Sequence, residues 1–469
     1  MRNIIQTADS SELGGDVRVD AHADHFAGRD NARSWYVLIM LTVSYSLAYI
    51  DRQLLNLLVD PIKRSLLISD TQLSLVQGLA FISAYLLAAP LFGRLVDTSN
   101  RRNVLLAGIC LWSVFTALCG RADTYFELFA ARFGVGASEA CVLPVGWSII
   151  SDIFSTRRTP RAMSIFMLGP LLGGGFSLLA GGAVIMFAKH VRVQVPLLAN
   201  LDVWQMAFVL IGAPGILLAL LLLLTVREPR RSQSLVAVED DRKFTTREAA
   251  DFLWQRRGFY TRVYLALGTL GMVVLGIPSW LPSFLIRFHG VAPAAVGFRF
   301  GVIVVTLGAA GVLIGPWVAR LLEKRGYEDA TLRTAAFSLL ATLVASAAIP
   351  FAPGADGALT AAAAAIFFSS LPTGVMAASM QRGTPSRMRG VVAALYTFSG
   401  QLIGFGLGPT SIALVTDKFF HDPKMVGYSI GIVCPIAAAM TAYLLFSSLR
   451  HYRRILAEER AAKALADRA

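Results

Sequence analysis

Twelve stretches of predominantly apolar residues run along the 469-residue chain, at 35–58, 71–92, 103–120, 125–150, 163–187, 204–226, 260–285, 296–319, 333–350, 358–380, 390–415 and 426–449. Most are about 20 residues long, which at a rise of about 1.5 Å per residue matches a hydrocarbon core of about 30 Å. They do not alternate in polarity as barrel strands do, and backbone groups in lipid must be satisfied within their own segment, so each run predicts a helix. The pattern predicts an all-α integral membrane protein with twelve transmembrane helices. Segment 1–34 is polar and of mixed charge, with no apolar core of a cleavable leader, and is expected to be a disordered tail. The interval 227–259 is the only long charged stretch between runs, so it is expected to link two six-helix bundles, 35–226 and 260–449. Residues 450–469 form a second tail.

Composition agrees. Charged residues make up 16% of the chain and the mean hydropathy is +0.60, whereas a soluble domain carries about 25% charge. The net charge of +13 would suit nucleic acid, but its distribution does not. Of the 43 Lys and Arg, 32 fall in the two tails, the even-numbered loops and the run ends beside them, nine in the odd loops and the run ends beside them, and two, Arg52 and Arg132, deep inside runs. This asymmetry places the tails and the 227–259 interval in the cytoplasm, with a cell membrane (the inner membrane if the source is bacterial) as the location. The basic loops then contact anionic membrane lipids along one plane and do not form a continuous nucleic-acid face. The four cysteines lie inside apolar runs and read as small buried hydrophobes. The six histidines show no ligand pair at i, i+4, so neither a metal nor another cofactor is expected. The absence of H-E-x-x-H and G-x-S-x-G argues against an enzyme. A monomer is expected.

A degraded repeat crosses the central interval. Gly93-Arg94-Leu95-Val96-Asp97 followed by Arg101-Arg102 stands after run 2, and Gly315-Pro316-Trp317-Val318-Ala319 followed by Glu323-Lys324-Arg325 stands after run 8. Arg158-Thr159-Pro160 and Gly383-Thr384-Pro385 form a second pair. Parallel six-span repeats with a site at their interface are a transporter architecture.

The first of these motifs resembles the loop 2–3 signature of the major facilitator superfamily, with Thr98 and Asn100 where a basic residue and Gly are usual. Tyr49-Ile50-Asp51-Arg52, the span 2 run from Gly78 to Gly93, Arg132-Phe133-Gly134-Val135-Gly136-Ala137-Ser138-Glu139-Ala140, Ser151-Asp152 and Trp280-Leu281-Pro282 resemble the Spinster-like lipid transporter family within it. The resemblance implies the major facilitator fold, lysolipid or sphingolipid-like cargo, and a cytoplasmic salt-bridge latch favouring the outward-facing state. The conformational-switch residues are then Gly93, Asp97, Arg101, Arg102 and Asp152.

Ionisable groups inside a bilayer are costly and point to function. Among the 30 acids only Asp51 and Glu139 lie deep in runs, with Arg52 and Arg132 beside them. Counting helix rise from the cytoplasmic ends puts Asp51 at about 24 Å and Arg132 at about 27 Å, nearly level. Arg132 and Glu139, at i and i+7, share a face of span 4. Arg132 is thus the expected partner of both acids, and a ladder of alternating charge is expected along the cavity wall. Two readings follow: a structural ion pair locking span 1 to span 4, or a proton relay. Burial opposes ionisation while a nearby Arg favours it, so a carboxylate alternating between wet and occluded surroundings changes its hold on a proton. The second half has no deep charge. Tyr49 from span 1 and Trp280, Phe284, Ser370, Tyr396 and Gln401 from the second half are the expected cavity wall for an amphipathic substrate. The expected function is proton-coupled, alternating-access transport of such a substrate. The alternative is a proton-coupled symporter of a small organic anion held by Arg52 and Arg132.

Overall fold

The structure, a computed structural model, describes residues 30–155, 158–194, 200–229, 246–382, 384–385 and 388–466. Most of the expected 1–34 tail, the middle of the 227–259 interval, Gly383 and residues 467–469 lie outside the described residues. Every described regular element is helical. Eleven helices are long and apolar enough to cross a membrane: Asp70–Thr98, Arg101–Cys119, Tyr125–Ile153, Arg161–Ala188, Val203–Thr225, Arg257–Arg287, Pro293–Lys324, Ala330–Phe351, Gly354–Arg382, Val391–Phe420 and Pro423–Glu458. They are spans 2 to 12 here. Span 1 is Ala32–Leu57, packed among the others against span 5. Its apolar signal is diluted by Asp51, Arg52, Gln53 and Asn56 near its far end.

Local sequence sets the helix starts. Asn31 accepts the Ser34 N–H at 2.8 Å, and Asn100 accepts the Asn103 N–H at 2.9 Å. Ser69 with Gln72 and Thr124 with Glu127 form capping boxes. Each cap satisfies amide donors that a helix leaves open at its first turn.

The helix pairing carries the repeat that the motifs only hint at. Span 1 packs on span 5, span 2 on span 4 and span 3 on span 6. In the second half span 7 packs on span 11, span 8 on span 10 and span 9 on span 12. The halves meet through span 2 against span 11 and span 5 against span 8, again an equivalent pair. This is the major facilitator architecture of two pseudo-symmetric six-helix bundles. The two ends of the described chain lie on one side, called here the terminal side; the odd-numbered connections lie on the distal side.

The second tail is a helix for most of its length. Span 12 continues without a break to Ala466 and docks on the terminal side. Tyr452 stacks on Phe259 with ring centroids 5.4 Å apart. Arg453 Nη2 lies 2.6 Å from Asp329 Oδ2 and Arg460 Nη1 2.6 Å from Glu328 Oε1. Burial opposes the charge of Asp329, but hydrogen bonds from Arg333 and Arg453 overcome it and hold the carboxyl below its ordinary range.

Close packing places the charged spans. A Cβ on Gly136 of span 4 would collide with the Phe81 carbonyl oxygen of span 2. Small residues let membrane helices approach to backbone contact, and this approach brings Phe81 beside the buried arginines. Gly136→Val is expected to force spans 2 and 4 apart and to cost on the order of 1–3 kcal/mol, measured as a lower melting temperature of the purified protein in detergent.

Candidate functional site

Asp51 and Arg52 are consecutive on span 1 and so point about 100° apart. Arg52 turns toward spans 2 and 4, where its Nε lies 3.0 Å from Glu139 Oε2 and its Nη2 contacts the same oxygen. Asp51 turns toward spans 3 and 4. Its Oδ2 accepts a hydrogen bond from Thr116 Oγ1 at 3.0 Å and lies 3.5 Å from Arg132 Nη1. All four charges are nearly or wholly out of water, with Asp51 3%, Arg132 1% and Glu139 1% exposed.

The level placement of Asp51 and Arg132 agrees with the helix-rise count. The partner of Glu139 does not: it is Arg52, and not Arg132. Two turns of helix rise separate residues at i and i+7 by about 10.5 Å, whereas Arg52 of the adjoining span stands directly beside Glu139. The result is two crossed ion pairs, each joining span 1 to span 4, in place of a ladder along span 4.

Phe81 stands between them, its ring centroid 4.0 Å from the Arg52 guanidinium carbon and 5.6 Å from that of Arg132. The Tyr49 ring lies 4.2 Å from Arg52 on another side, and Phe405 of span 11 lies 5.9 Å away. Cation–π contact of this kind stabilises a desolvated guanidinium by about 2 kcal/mol. The hydrogen bonding is incomplete. Asp51 Oδ1, Glu139 Oε1 and Arg132 Nε are buried without a hydrogen-bond partner, an expensive condition for charged groups in a medium of low dielectric.

Tyr45, Tyr49, Arg52, Phe81, Tyr85 and Glu139 enclose a cavity of about 10 Å³ that Gln401 of span 11 closes from the second half. That is room for about one water. Of the six expected cavity-wall residues, Tyr49 and Gln401 thus meet at the buried charges. The other four are elsewhere in this conformation. Trp280 has no exposed surface and donates its Nε1–H to the Pro409 carbonyl at 2.9 Å. Phe284 is likewise fully buried, stacked on Phe288 and wedged against Gly427. Ser370 donates to the Ile366 carbonyl at 2.8 Å and faces Gly311 of span 8. Tyr396 packs toward Tyr264, with centroids 6.4 Å apart. These side chains build the second bundle and do not line the central cavity. Tyr45, Thr116 and Phe405 belong to the centre and were not singled out by sequence. Phe81 and Tyr85 lie in the span 2 run from Gly78 to Gly93 that carries the family resemblance, where their i, i+4 spacing puts them on one face, but they were assigned no site role.

The expected switch residues fall into two groups. Arg101, 1% exposed, gathers span 4 and the start of the central interval onto span 3. Its Nη1 contacts Asp152 Oδ2 and lies 3.0 Å from Ser148 Oγ; its Nε lies 2.8 Å from Glu228 Oε1 and its Nη2 2.9 Å from the Pro229 carbonyl. The Arg102 backbone N–H donates to Glu228 Oε2 at 2.8 Å. These contacts stay within the first half and the interval that follows it. Gly93 has open space around it and Asp97 is exposed at the end of span 2. Glu228 was missed, although Glu228-Pro229 stands three residues after the end of span 6. Arg101→Gln is expected to strip charge-assisted bonds from Asp152 and Glu228, each still partly wetted, at a cost of about 2 kcal/mol. Glu228→Gln should cost less. Thermal unfolding of both variants in detergent measures the difference.

The chain and its fold have counterparts among known proteins. The family model of the Major Facilitator Superfamily matches residues 41–409. An MFS-type efflux pump of Mycolicibacterium smegmatis is 25% identical over 446 residues, covering 93% of this chain and 97% of that protein. Human protein spinster homolog 1 is 27% identical over 315 residues, 63% of this chain and 56% of that protein. The probable galactarate/D-glucarate transporter GudP of Bacillus subtilis is 25% identical, covering 64% of this chain and 68% of that protein. Among solved structures, a bacterial homolog to the human lysosomal transporter Spinster superimposes with a TM-score of 0.73 at 23% identity, covering 91% of this chain and 97% of that one. A D-xylose-proton symporter does so with a TM-score of 0.63 at 15% identity, covering 87% of this chain and 97% of that one. The chain belongs to the Major Facilitator Superfamily and is a multi-pass membrane transporter with Spinster-like relatives.

Proposed function

We propose that this transporter moves an amphipathic, lysolipid- or sphingolipid-like substrate by proton-coupled alternating access, with 35–226 and 260–449 as its two rocking bundles. The terminal side faces the cytoplasm of a cell membrane, as the basic loops favour. The observation that carries the reading is the Arg52–Glu139 pair. It is almost wholly out of water, carries a carboxylate oxygen with no hydrogen-bond partner, and lines a cavity that Gln401 of the opposite bundle also lines.

In this reading Glu139 and Asp51 take up protons when the centre becomes accessible. Each proton neutralises a carboxylate and releases its guanidinium, Arg52 from Glu139 and Arg132 from Asp51. A freed guanidinium, still flanked by Tyr49 and Phe81, offers a polar head group both charge and an aromatic face. Gln401 registers the change on the second bundle, so that protonation alters how the two bundles rest on each other. Gly93, Asp97, Arg101, Arg102 and Asp152 act as a conformational switch at the terminal ends of spans 2 to 4. The protein works as a monomer, since each bundle contributes to a single centre.

A second reading, symport of a small organic anion, draws on the relative named as a galactarate/D-glucarate transporter and on the two central arginines. Both readings meet in one experiment. Wild type, Asp51→Asn and Glu139→Gln are reconstituted in vesicles, and flux of a lysophospholipid and of a sugar diacid is followed with and without a pH gradient. The expected result is lysophospholipid flux that a pH gradient accelerates in wild type and leaves unchanged in Glu139→Gln. Flux of the diacid alone supports the second reading. An equal response to the gradient in wild type and both variants removes the central acids from coupling and leaves a structural ion-pair cluster.

A further inference from the structure

A second cluster of buried charge lies on the distal side, and unlike the central ion pairs it joins the two halves. Arg287 closes span 7. Its Nη1 and Nη2 lie 2.8 Å and 2.9 Å from the two carboxylate oxygens of Asp70, a two-pronged pairing, and its Nε lies 2.7 Å from Asp60 Oδ1. Asp60 sits on the short helix Val59–Leu66 between spans 1 and 2, and Asp70 is the first residue of span 2. Lys63 of the same short helix adds a contact of 2.6 Å to Asp70 Oδ1. The Asp70 side chain has no exposed surface, and that of Arg287 is 7% exposed.

A second contact crosses between the halves beside it. The last stretch of span 11, Val415–Phe420, winds as a π-helix. The wider turn carries Asp417 to the start of span 2, where its Oδ2 accepts the Thr71 N–H at 2.6 Å and the Thr71 hydroxyl at 2.7 Å. Asp417 thus satisfies from the opposite bundle an amide that a helix leaves open at its first turn, at the end where the helix dipole favours a negative charge. Deeper along the same pair of helices, a Cβ on Gly78 would collide with the Phe405 carbonyl oxygen, so spans 2 and 11 are in backbone contact there.

These contacts fix the start of span 2 from two directions, span 7 through Arg287 and span 11 through Asp417. The short helix is itself anchored to its own bundle, with Ser65 Oγ donating to Asp202 Oδ2 at 2.6 Å. The acids of the cluster therefore move with the first half, and Arg287 and Asp417 with the second. Separating the bundles on the distal side must pull a guanidinium out of two carboxylates at once, leaving Asp70 with Lys63 as its remaining cation. We infer that Asp60, Asp70 and Thr71 of the first half, with Arg287 and Asp417 of the second, form a latch that holds the distal side shut. Its release is then a required step in opening that side to cargo. This goes beyond the proposed proton coupling: it applies whatever the substrate, and it does not involve Asp51 or Glu139.

The geometry sets the order of effects. Arg287 makes the two-pronged bond, for which a lysine is a poor substitute. Arg287→Gln should therefore open the distal side most, Arg287→Lys less, and Asp417→Asn least, since an amide oxygen can still accept from Thr71. The test is the distance between spin labels at Leu67→Cys and Phe419→Cys, which are 90% and 72% exposed on opposite halves. Cys110, the exposed native cysteine among the described residues, is replaced by Ser. Wild type is expected to give one short distance. Arg287→Gln should add a longer-distance population several-fold larger than any in wild type, with Arg287→Lys and Asp417→Asn between them. Unchanged distances in Arg287→Gln in a monodisperse, folded sample overturn the latch. If Arg287→Gln does not fold, Asp417→Ala, which removes the acceptor from Thr71, decides: added longer distances support the latch, and a distribution identical to wild type overturns it.

Discussion

A charge buried in a bilayer must find a partner or give up its charge, and this constraint organises the molecule. Span 1 carries an acid and a base side by side near its distal end. Because neighbours on a helix point about 100° apart, they cannot satisfy each other and must reach different helices. Span 4 supplies the matching base and acid at Arg132 and Glu139, two turns apart. The outcome is a pair of crossed salt bridges that tie the same two helices twice, with Thr116 of span 3 and Phe81 of span 2 as their polar and aromatic supports. Four of the six spans of the first bundle are thereby committed to one centre. Glycines such as Gly136 permit the approach, since backbone contact between spans 2 and 4 carries Phe81 into place.

The charges divide by what they connect. The central pairs and the Arg101 cluster lie within the first bundle and stiffen it, including its junction with the interval after span 6. The Arg287 cluster and the Asp417 contact lie between the bundles. In the proposed cycle the two meet through span 11, which lends Gln401 and Phe405 to the centre and Asp417 to the distal latch.

The fold was legible in the sequence to an unusual degree, because the bilayer imposes a length and a hydropathy on each span and the basic residues mark one side. The depth of Asp51 and Arg132 followed from counting helix rise. The partner of Glu139 did not, since it depends on how spans 1 and 4 rotate about their own axes, which a one-dimensional count does not contain. Trp280 and Phe284 were assigned to a cavity wall and belong to the interior of the second bundle. In a membrane protein apolar side chains face lipid, neighbouring helices or cargo alike, so an aromatic residue by itself does not declare its surroundings. The distal latch was invisible for the opposite reason. Asp60, Asp70, Arg287 and Asp417 sit at helix ends, where charge is ordinary, and only their assembly from four segments shows that Asp70 is fully enclosed.

The central claim is that Glu139 gives and takes a proton as Arg52 leaves and returns. The most direct measurement is the infrared difference spectrum of the purified transporter as substrate is added at fixed pH, compared with Glu139→Gln. The account predicts a band from a protonated carboxylic acid that changes with substrate, is absent in Glu139→Gln, and persists in Arg101→Gln. The same band in wild type and Glu139→Gln, or no change in carboxyl protonation as substrate binds, would contradict it.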